Sequence, residues 1–144
     1  MINIRNVSKY YKPNVIALED VSLDVKAGEM VSIVGQSGCG KTTFVKLLIG
    51  EEKADKGQMV VGEWDITNLS HAHVPYLRRQ IGVIFQDFKL LPKKTLAENV
   101  AFALQVCGQK PARIKKIVPS VLKIVGLEDK KDRYPHEVSG GEGQ

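Results

Sequence analysis

A chain of 144 residues, 43% of them hydrophobic, is long enough to bury the core of one soluble domain and contains no apolar run that could span a bilayer. Its formal net charge of +5 comes from scattered basic residues, and without a basic stripe or a known module this does not indicate a nucleic-acid-binding surface. The two cysteines and three histidines match no metal-ligand spacing. The N-terminus lacks the layout of a signal peptide, so we expect the chain in the cytoplasm.

The first 85 residues predict β-strands. Residues 2–7 begin one strand, and residues 21–25 alternate apolar and polar side chains as a half-buried strand does. Residues 30–34 and 81–85 are mostly apolar runs, which are typical of strands covered on both faces of a parallel sheet. Residues 58–61 predict a further strand. Together these patterns indicate an α/β fold.

The remainder of the chain is helical in character. Thr95 and Glu98 have the spacing of a capping box, and the apolar residues that follow fall on one face of a helix. Residues 114–125 repeat the helical pattern. Pro111 suits the first turn of that helix, whereas Pro119 lies in its interior, where we expect a kink or a break.

Residues 35–42 match the phosphate-binding pattern G-x-x-x-x-G-K-[ST] without deviation, after an apolar run and before a helical segment, 42–49, that Gly50 closes. Glycines let the backbone approach a phosphate, and the start of the following helix attracts the anion. Lys41 adds a positive charge near the β- and γ-phosphates, and the Thr42 hydroxyl suits Mg²⁺. A glycine-rich turn with an incidental lysine is the alternative interpretation. The residues predicted to bind the nucleoside triphosphate are Gly35, Gln36, Ser37, Gly38, Cys39, Gly40, Lys41, Thr42 and Thr43.

Cys39 lies inside this loop. A thiol near the N-terminus of a helix tends toward greater reactivity, which leads to the hypothesis that alkylation of Cys39 blocks nucleotide binding. The alternative is that Cys39 is only a small side chain that fits the loop.

Three further features accompany the phosphate loop: Tyr11 before the second predicted strand, Gln86 directly after the apolar run that ends at residue 85, and the sequence Ser-Gly-Gly-Glu at 139–142. Together with the loop they resemble the ABC family of ATPases. The resemblance implies that Tyr11 stacks on the adenine of ATP, with Tyr10 as the competing candidate. It also implies that Gln86 reaches Mg²⁺ and the attacking water and links the nucleotide site to a helical subdomain.

Residues 139–142 resemble the ABC signature motif. The resemblance implies that a hydroxyl and backbone N–H groups at the start of a helix bind the γ-phosphate of ATP on the opposite subunit, contributed by Ser139, Gly140 and Gly141. The alternative is that Ser139 and Glu142 form only a capping box. The sequence departs from the family pattern at Val138, where leucine is usual, and at residues 143–144, where two glutamines are usual.

Within the ABC family, residues 74–88, whose first part suggests a short helix over 74–79, and residues 28–30 resemble the FtsE group of cell-division ATPases. That resemblance implies a homodimer of the full-length protein on the inner face of the plasma membrane, where it couples ATP use to an integral membrane partner of the FtsX type. The alternatives are a subunit of a lipoprotein-release or MacB-like exporter and a nucleotide-binding scaffold without hydrolysis. A P-loop kinase or GTPase is disfavoured by the signature motif.

The expected fold class is α/β, a P-loop NTPase of the ABC type with an incomplete nucleotide-binding core at 1–86 and a helical subdomain at 87–142. The sequence ends before the positions where the family has its Walker B aspartate and catalytic glutamate. We therefore expect a fragment that, taken alone, fits nucleotide binding better than hydrolysis. The expected cofactors are ATP and Mg²⁺.

Overall fold

The computed structural model of the chain describes residues 1–143, which form two compact units, Met1–Gly82 and a second unit that begins at Val83. The described strands, all in the first unit, are β1 (Ile2–Tyr11), β2 (Val15–Val25), β3 (Lys56–Val61) and β4 (Trp64–Asp65). The helices of the first unit are α1 (Lys41–Leu48) and α2 (Val74–Arg78). Those of the second unit are α3 (Leu96–Val106), α4 (Pro111–Ile124) and α5 (Gly140–Gly143). Over residues 1–143, no helix combines the length and apolar character that crossing a bilayer requires.

The strands form one antiparallel sheet in the order β2–β1–β3–β4. β1 lies between its two long neighbours, and Ile4 pairs with Leu23 of β2 and with Met59 of β3. One face of the sheet packs against α1 and α2 and forms the core of the first unit. The buried core side chains are Ile4, Val7, Phe44, Leu47, Met59, Ile66 and Leu77.

A β-bulge allows two core residues of β1 to face the same side. Ile4 and Val7 are three positions apart and both are fully buried, although simple alternation would place them on opposite faces. The register shifts between them, and Asn6 adopts a left-handed φ of 49°. Gly57 of β3 lies against the bulge, where a Cβ would come within 2.5 Å of the carbonyl oxygens of Arg5 and Asn6. Glycine is therefore required at position 57.

Two of the predicted strands are wrong. Residues 30–34 and 81–85 are not strands in this structure, and several of their side chains are exposed: Met30 to 95%, Val34 to 85% and Ile84 to 76%. The described sheet is also antiparallel rather than parallel. An apolar run indicates burial, but a strand forms only when its backbone groups find a ladder partner, and within residues 1–143 neither run has one.

The end of α1 confirms the role predicted for Gly50. Gly50 adopts a left-handed φ of 65°, and its N–H donates to the carbonyl of Leu47. The N–H of Glu51 donates to the carbonyl of Lys46 at 2.9 Å. This pair of bonds is a Schellman motif, which satisfies two carbonyls at the end of the helix. The short helix predicted over 74–79 is likewise confirmed as α2.

The helices of the second unit begin as the sequence predicts. The N–H of Glu98 donates to the Thr95 hydroxyl and the N–H of Thr95 donates to the Glu98 carboxylate, which confirms the capping box at α3. Pro111 occupies the first turn of α4. Of the kink or break expected at Pro119, the break is wrong because α4 continues through Pro119 to Ile124. Pro119 and Lys115 are both exposed, so water can replace the N–H donor that the proline lacks.

Candidate functional site

The glycine-rich loop ends at Gly40, and α1 begins at Lys41. Gly38 and Gly40 have left-handed φ angles of 83° and 93°. A Cβ on Gly40 would lie 2.2 Å from the carbonyl oxygen of Ala17, so the loop packs backbone to backbone against β2. No residue with a side chain fits at that contact without displacing one of the two segments. The close contact holds the start of α1 against the sheet.

The Lys41 side chain curls back across the loop. Its ammonium donates to the carbonyl oxygens of Gly35 at 2.8 Å and of Gln36 at 2.7 Å, and it lies 3.5 Å from the Cys39 sulfur. Cys39 itself is exposed. The positive charge of Lys41 therefore lies directly against the loop, where it can attract an anion that the loop binds.

The start of α1 has the donors that a phosphate needs. Phe44 makes the first helical bond, to the carbonyl of Gly40 at 2.8 Å, so helix geometry leaves the preceding N–H groups without intrahelical acceptors. The first turn contains no acidic side chain that would compete for them. Thr42 is exposed in this turn and offers a hydroxyl oxygen. The glycine cradle, the donors and the lysine together fit a triphosphate, and the hydroxyl suits its Mg²⁺.

A second hollow lies beside the loop, at the hairpin between β1 and β2. Tyr11 pairs with Val15 and Tyr10 pairs with Ile16 across this hairpin. The next residue of β2, Ala17, contacts the phosphate loop through its carbonyl oxygen. The hollow is a cavity of about 510 Å³, a size that suits a small-molecule site. Its lining consists of Tyr10, Tyr11, Lys12, Pro13, Asn14, Val15, Ile16 and Asp55.

Gln86 lies in the second unit, where it is exposed in a turn. Phe88 and Lys89, which follow, adopt left-handed φ angles of 55° and 52°. Lys89 forms an ion pair with Asp87 at 2.6 Å, and the hydrogen bond from the lysine holds the pKa of Asp87 below its ordinary value. The chain therefore reverses sharply just after Gln86, through a turn that an ion pair helps to hold.

The Ser-Gly-Gly-Glu segment forms the start of α5 and carries a network of hydrogen bonds. The N–H and the hydroxyl of Ser139 both donate to one carboxylate oxygen of Glu142, each at 2.9 Å. The other oxygen of Glu142 pairs with Lys130. These donors, Lys130 first and Ser139 second, lower the pKa of Glu142 to about 2. The carboxylate half of the predicted capping box is present, but the hydroxyl donates to Glu142 instead of accepting a backbone N–H. Gln144 lies outside the described residues.

The structure brings the loop residues and the two tyrosines together within the first unit, while Gln86 and the residues from Ser139 to Gly141 belong to the second. Two residues beside these features were missed in the sequence. Lys9 contacts Tyr11, and Asn99 accepts the N–H of Leu91 at 2.7 Å and donates to the carbonyl of Thr95. Strand alternation places Lys9 on the same face as Tyr11, which is the one signal that pointed to the contact.

Comparison with known proteins agrees with this arrangement. The ABC transporter family matches residues 18–144. FtsE, a cell division ATP-binding protein of Bacillus subtilis (strain 168), is 48% identical over 144 residues, which cover all of this chain and 63% of that protein. FtsE of Streptococcus pneumoniae serotype 2 (strain D39) is 46% identical with the same coverage. MetN, a methionine import ATP-binding protein of Clostridioides difficile (strain 630), is 40% identical over the whole chain and 44% of its own length.

A solved structure has the same fold. The ATP-binding cassette MJ0796, determined as a dimer in a post-hydrolysis state bound to ADP and Pi, superposes with a TM-score of 0.88 and 32% identity over 99% of this chain and 65% of that one. The chain thus spans less than two thirds of the length of the FtsE relatives that it matches. The family match, the relatives and the shared fold agree with the phosphate loop: this chain belongs to the ABC transporter family.

Proposed function

We propose that the chain is the ATP-binding part of an ABC-type ATPase of the FtsE kind, with a nucleotide-binding core at 1–86 and a helical subdomain at 87–142. The observation that carries the proposal is the phosphate loop. Gly40 packs against the carbonyl of Ala17, the Lys41 ammonium bonds two carbonyls of the loop, and the first N–H groups of α1 precede the first intrahelical bond. This arrangement suits a triphosphate.

Each loop residue has a role that its chemistry allows. The backbone N–H groups of the residues from Gly35 to Thr43 bind phosphate oxygens. The Lys41 ammonium leaves the carbonyls of Gly35 and Gln36 and pairs with anionic phosphate oxygens, which are stronger acceptors. The Thr42 hydroxyl holds Mg²⁺. When bound, ATP supplies the phosphoryl group whose transfer to water would drive the protein.

The remaining site residues contact the adenine at one end of the nucleotide and the γ-phosphate and Mg²⁺ at the other. Tyr11, at the cavity beside the loop, stacks on adenine. Gln86 reaches Mg²⁺ and the attacking water. The γ-phosphate of ATP on a second subunit meets the signature residues, which are Ser139, Gly140 and Gly141. The Ser139 hydroxyl then exchanges its bond to Glu142 for one to the phosphate.

The FtsE kind is favoured over other ABC subunits by similarity, because four FtsE relatives are 45–48% identical to this chain and the MetN relatives are 40–42% identical. We infer an integral membrane partner of the FtsX type, at the inner face of the plasma membrane. A subunit of an importer is the second candidate, supported by the MetN relatives, which are methionine import proteins.

The second unit has a surface that suits such a partner. A cavity of about 630 Å³ lies between α3, α4 and the segment after Gln86, and its lining is mostly apolar. Phe102 and Val106 of α3 are exposed to 44% and 51%. We propose that a cytoplasmic helix of the membrane partner docks near this segment, so that a change at Gln86 reaches the partner.

The proposal is tested by a thermal-shift titration of the chain with MgATP, with Lys41→Ala as the control. Binding to the folded state adds about 2.7 kcal/mol at a ligand concentration about 100 times Kd, so we expect the transition to rise by several degrees. The Lys41→Ala variant should show the same transition without the rise. MgGTP should act more weakly than MgATP. An equal rise in the wild type and in the variant would contradict the proposal.

A further inference from the structure

A lysine lies in the interior of β1, directly beside Tyr11. Lys9 is only 9% exposed, which is unusual for this residue type because its charge is costly to remove from water. Its ammonium lies 5.4 Å from the centroid of the Tyr11 ring, within the range of a cation–π contact. The phosphate loop does not use this lysine, and no step proposed above requires it.

Two carboxylates keep the Lys9 ammonium in place. It forms ion pairs with Glu52 at 3.7 Å and with Asp55 at 3.6 Å. Asp55 is itself fixed, because its other carboxylate oxygen accepts the N–H of Tyr10 at 2.7 Å and its own N–H donates to the carbonyl of Ser8 at 2.9 Å. The charge is therefore held at one position relative to β1, and the Tyr11 ring packs against a fixed cation.

The cavity proposed for the base lies next to this arrangement. Tyr11 and Asp55 line the cavity, whereas Lys9 contacts the ring from outside it. A cation on one face of an aromatic ring leaves the opposite face free for a base. It also restricts the ring before the base arrives, so less conformational entropy is lost on binding.

We propose that Lys9 is a positioning residue for adenine: its ammonium, held by Glu52 and Asp55, fixes the Tyr11 ring in the orientation that stacks on the base. The inference rests on the proposed function, because it assumes that Tyr11 meets adenine. Lys9 touches no part of the nucleotide. Its effect is therefore confined to ligands that contain a base.

The neighbouring tyrosine provides an internal control. Lys56 lies over the Tyr10 ring with its ammonium 5.9 Å from the centroid, a contact of the same kind. Lys56 is exposed, and the Tyr10 ring is exposed to 37%. If any cation near the hairpin aided binding through its charge alone, the two lysines would act alike. If Lys9 acts through Tyr11, only Lys9 matters.

The experiment compares the calorimetric affinities of MgATP and of magnesium tripolyphosphate, which lacks the base. The variants are Lys9→Met, Lys9→Arg, Lys56→Met and Tyr11→Ala. We expect Lys9→Met to weaken MgATP about fivefold and Tyr11→Ala at least about tenfold, with tripolyphosphate unchanged in both. Lys9→Arg should restore most of the loss because a guanidinium also packs on aromatic faces. Lys56→Met should leave both affinities unchanged.

The outcomes separate this inference from the proposed function. Tyr11→Ala weakening MgATP while Lys9→Met does not would overturn the inference and leave the adenine contact standing. Equal loss of both ligands in Lys9→Met would show a merely structural role and would also overturn it. Unchanged MgATP affinity in Tyr11→Ala would overturn the adenine contact itself, and the inference with it.

A second variant covers the case in which Lys9→Met does not fold. Glu52→Gln leaves Lys9 and Tyr11 in place and removes one of the two charges that hold the ammonium. We expect it to weaken MgATP about twofold and to leave tripolyphosphate unchanged. An MgATP affinity equal to that of the wild type would count against the ion-paired lysine as the positioning group.

Discussion

Gly40 is the residue at which the phosphate loop, the first helix and the sheet meet. Its left-handed φ of 93° starts α1 in the required direction, and its missing side chain lets the carbonyl of Ala17 approach. Gly38 has a similar φ of 83° but no atom within 4 Å of the position of a Cβ. Substitutions at the two glycines therefore distinguish the cost of a left-handed backbone, which both positions share, from the cost of a steric overlap, which only Gly40 has.

Gly40→Ala should be more destabilising than Gly38→Ala. Both variants incur the strain of a left-handed alanine, about 1–2 kcal/mol, and only Gly40→Ala adds the overlap with the Ala17 carbonyl oxygen. We expect Gly40→Ala to lower the free energy of unfolding by at least about 3 kcal/mol, since backbone must move as well. Urea denaturation measures both variants. Equal losses of unfolding free energy in the two variants would mean that β2 can move at Ala17 without cost and would contradict the prediction.

The charge of Glu142 predicts a pH dependence. Its pKa in the folded protein is about 2, below the ordinary value of 4.5. The ionised form is therefore stabilised by folding, and this contribution is present above pH 4.5 and is lost as the pH falls from 4.5 toward 2. The stability difference between the wild type and Glu142→Gln should shrink over that window. Lys130→Met removes the main cause of the lowered pKa, so the stabilisation by Glu142 should be lost at a higher pH. A difference that stays constant down to pH 2 would contradict the prediction.

At the scale of elements, local signals were sufficient wherever the interacting residues are close in sequence. The capping box at Thr95 and the Schellman motif at Gly50 join residues three to five positions apart, and both were visible as sequence patterns. Pro119 was also visible, but its effect on α4 depends on exposure. A proline on the solvent face of a helix removes a hydrogen bond that water can replace.

Pro119→Ala should stabilise the second unit. Proline is about 3 kcal/mol less favourable than alanine in a helix interior, and part of this difference is offset because proline also restricts the unfolded chain. We expect a gain of about 1–2 kcal/mol by chemical denaturation. The matched control is Pro111→Ala, in the first turn of α4, where the N–H has no acceptor in any case. A gain as large at Pro111 would contradict the argument from position.

At the scale of the whole molecule, the glycine-rich loop and the strands at 2–7, 21–25 and 58–61 were predictable, but the described sheet lacks the two apolar runs that were also expected to be strands. The loop is a contiguous motif whose conformation its own glycines determine. The apolar runs at 30–34 and 81–85 predicted strands incorrectly because a ladder partner is a property of distant sequence. Lys9 lies in β1 and Asp55 just before β3, so their contact joins residues that are distant in sequence. No periodic pattern in the sequence indicates such a contact. The bulge at Asn6, which sets the faces of β1, was likewise not readable from alternation.

The position of Ala17 restricts which insertions and deletions evolution can accept in β2. Val15 and Ile16 line the cavity proposed for the base, and the next residue contacts the loop proposed for the phosphates. An inserted residue between them would lengthen the strand by about 3.3 Å and turn the following side chains to the opposite face. Insertions and deletions should therefore be rejected between residues 15 and 17, while a change of length in a surface loop is tolerated.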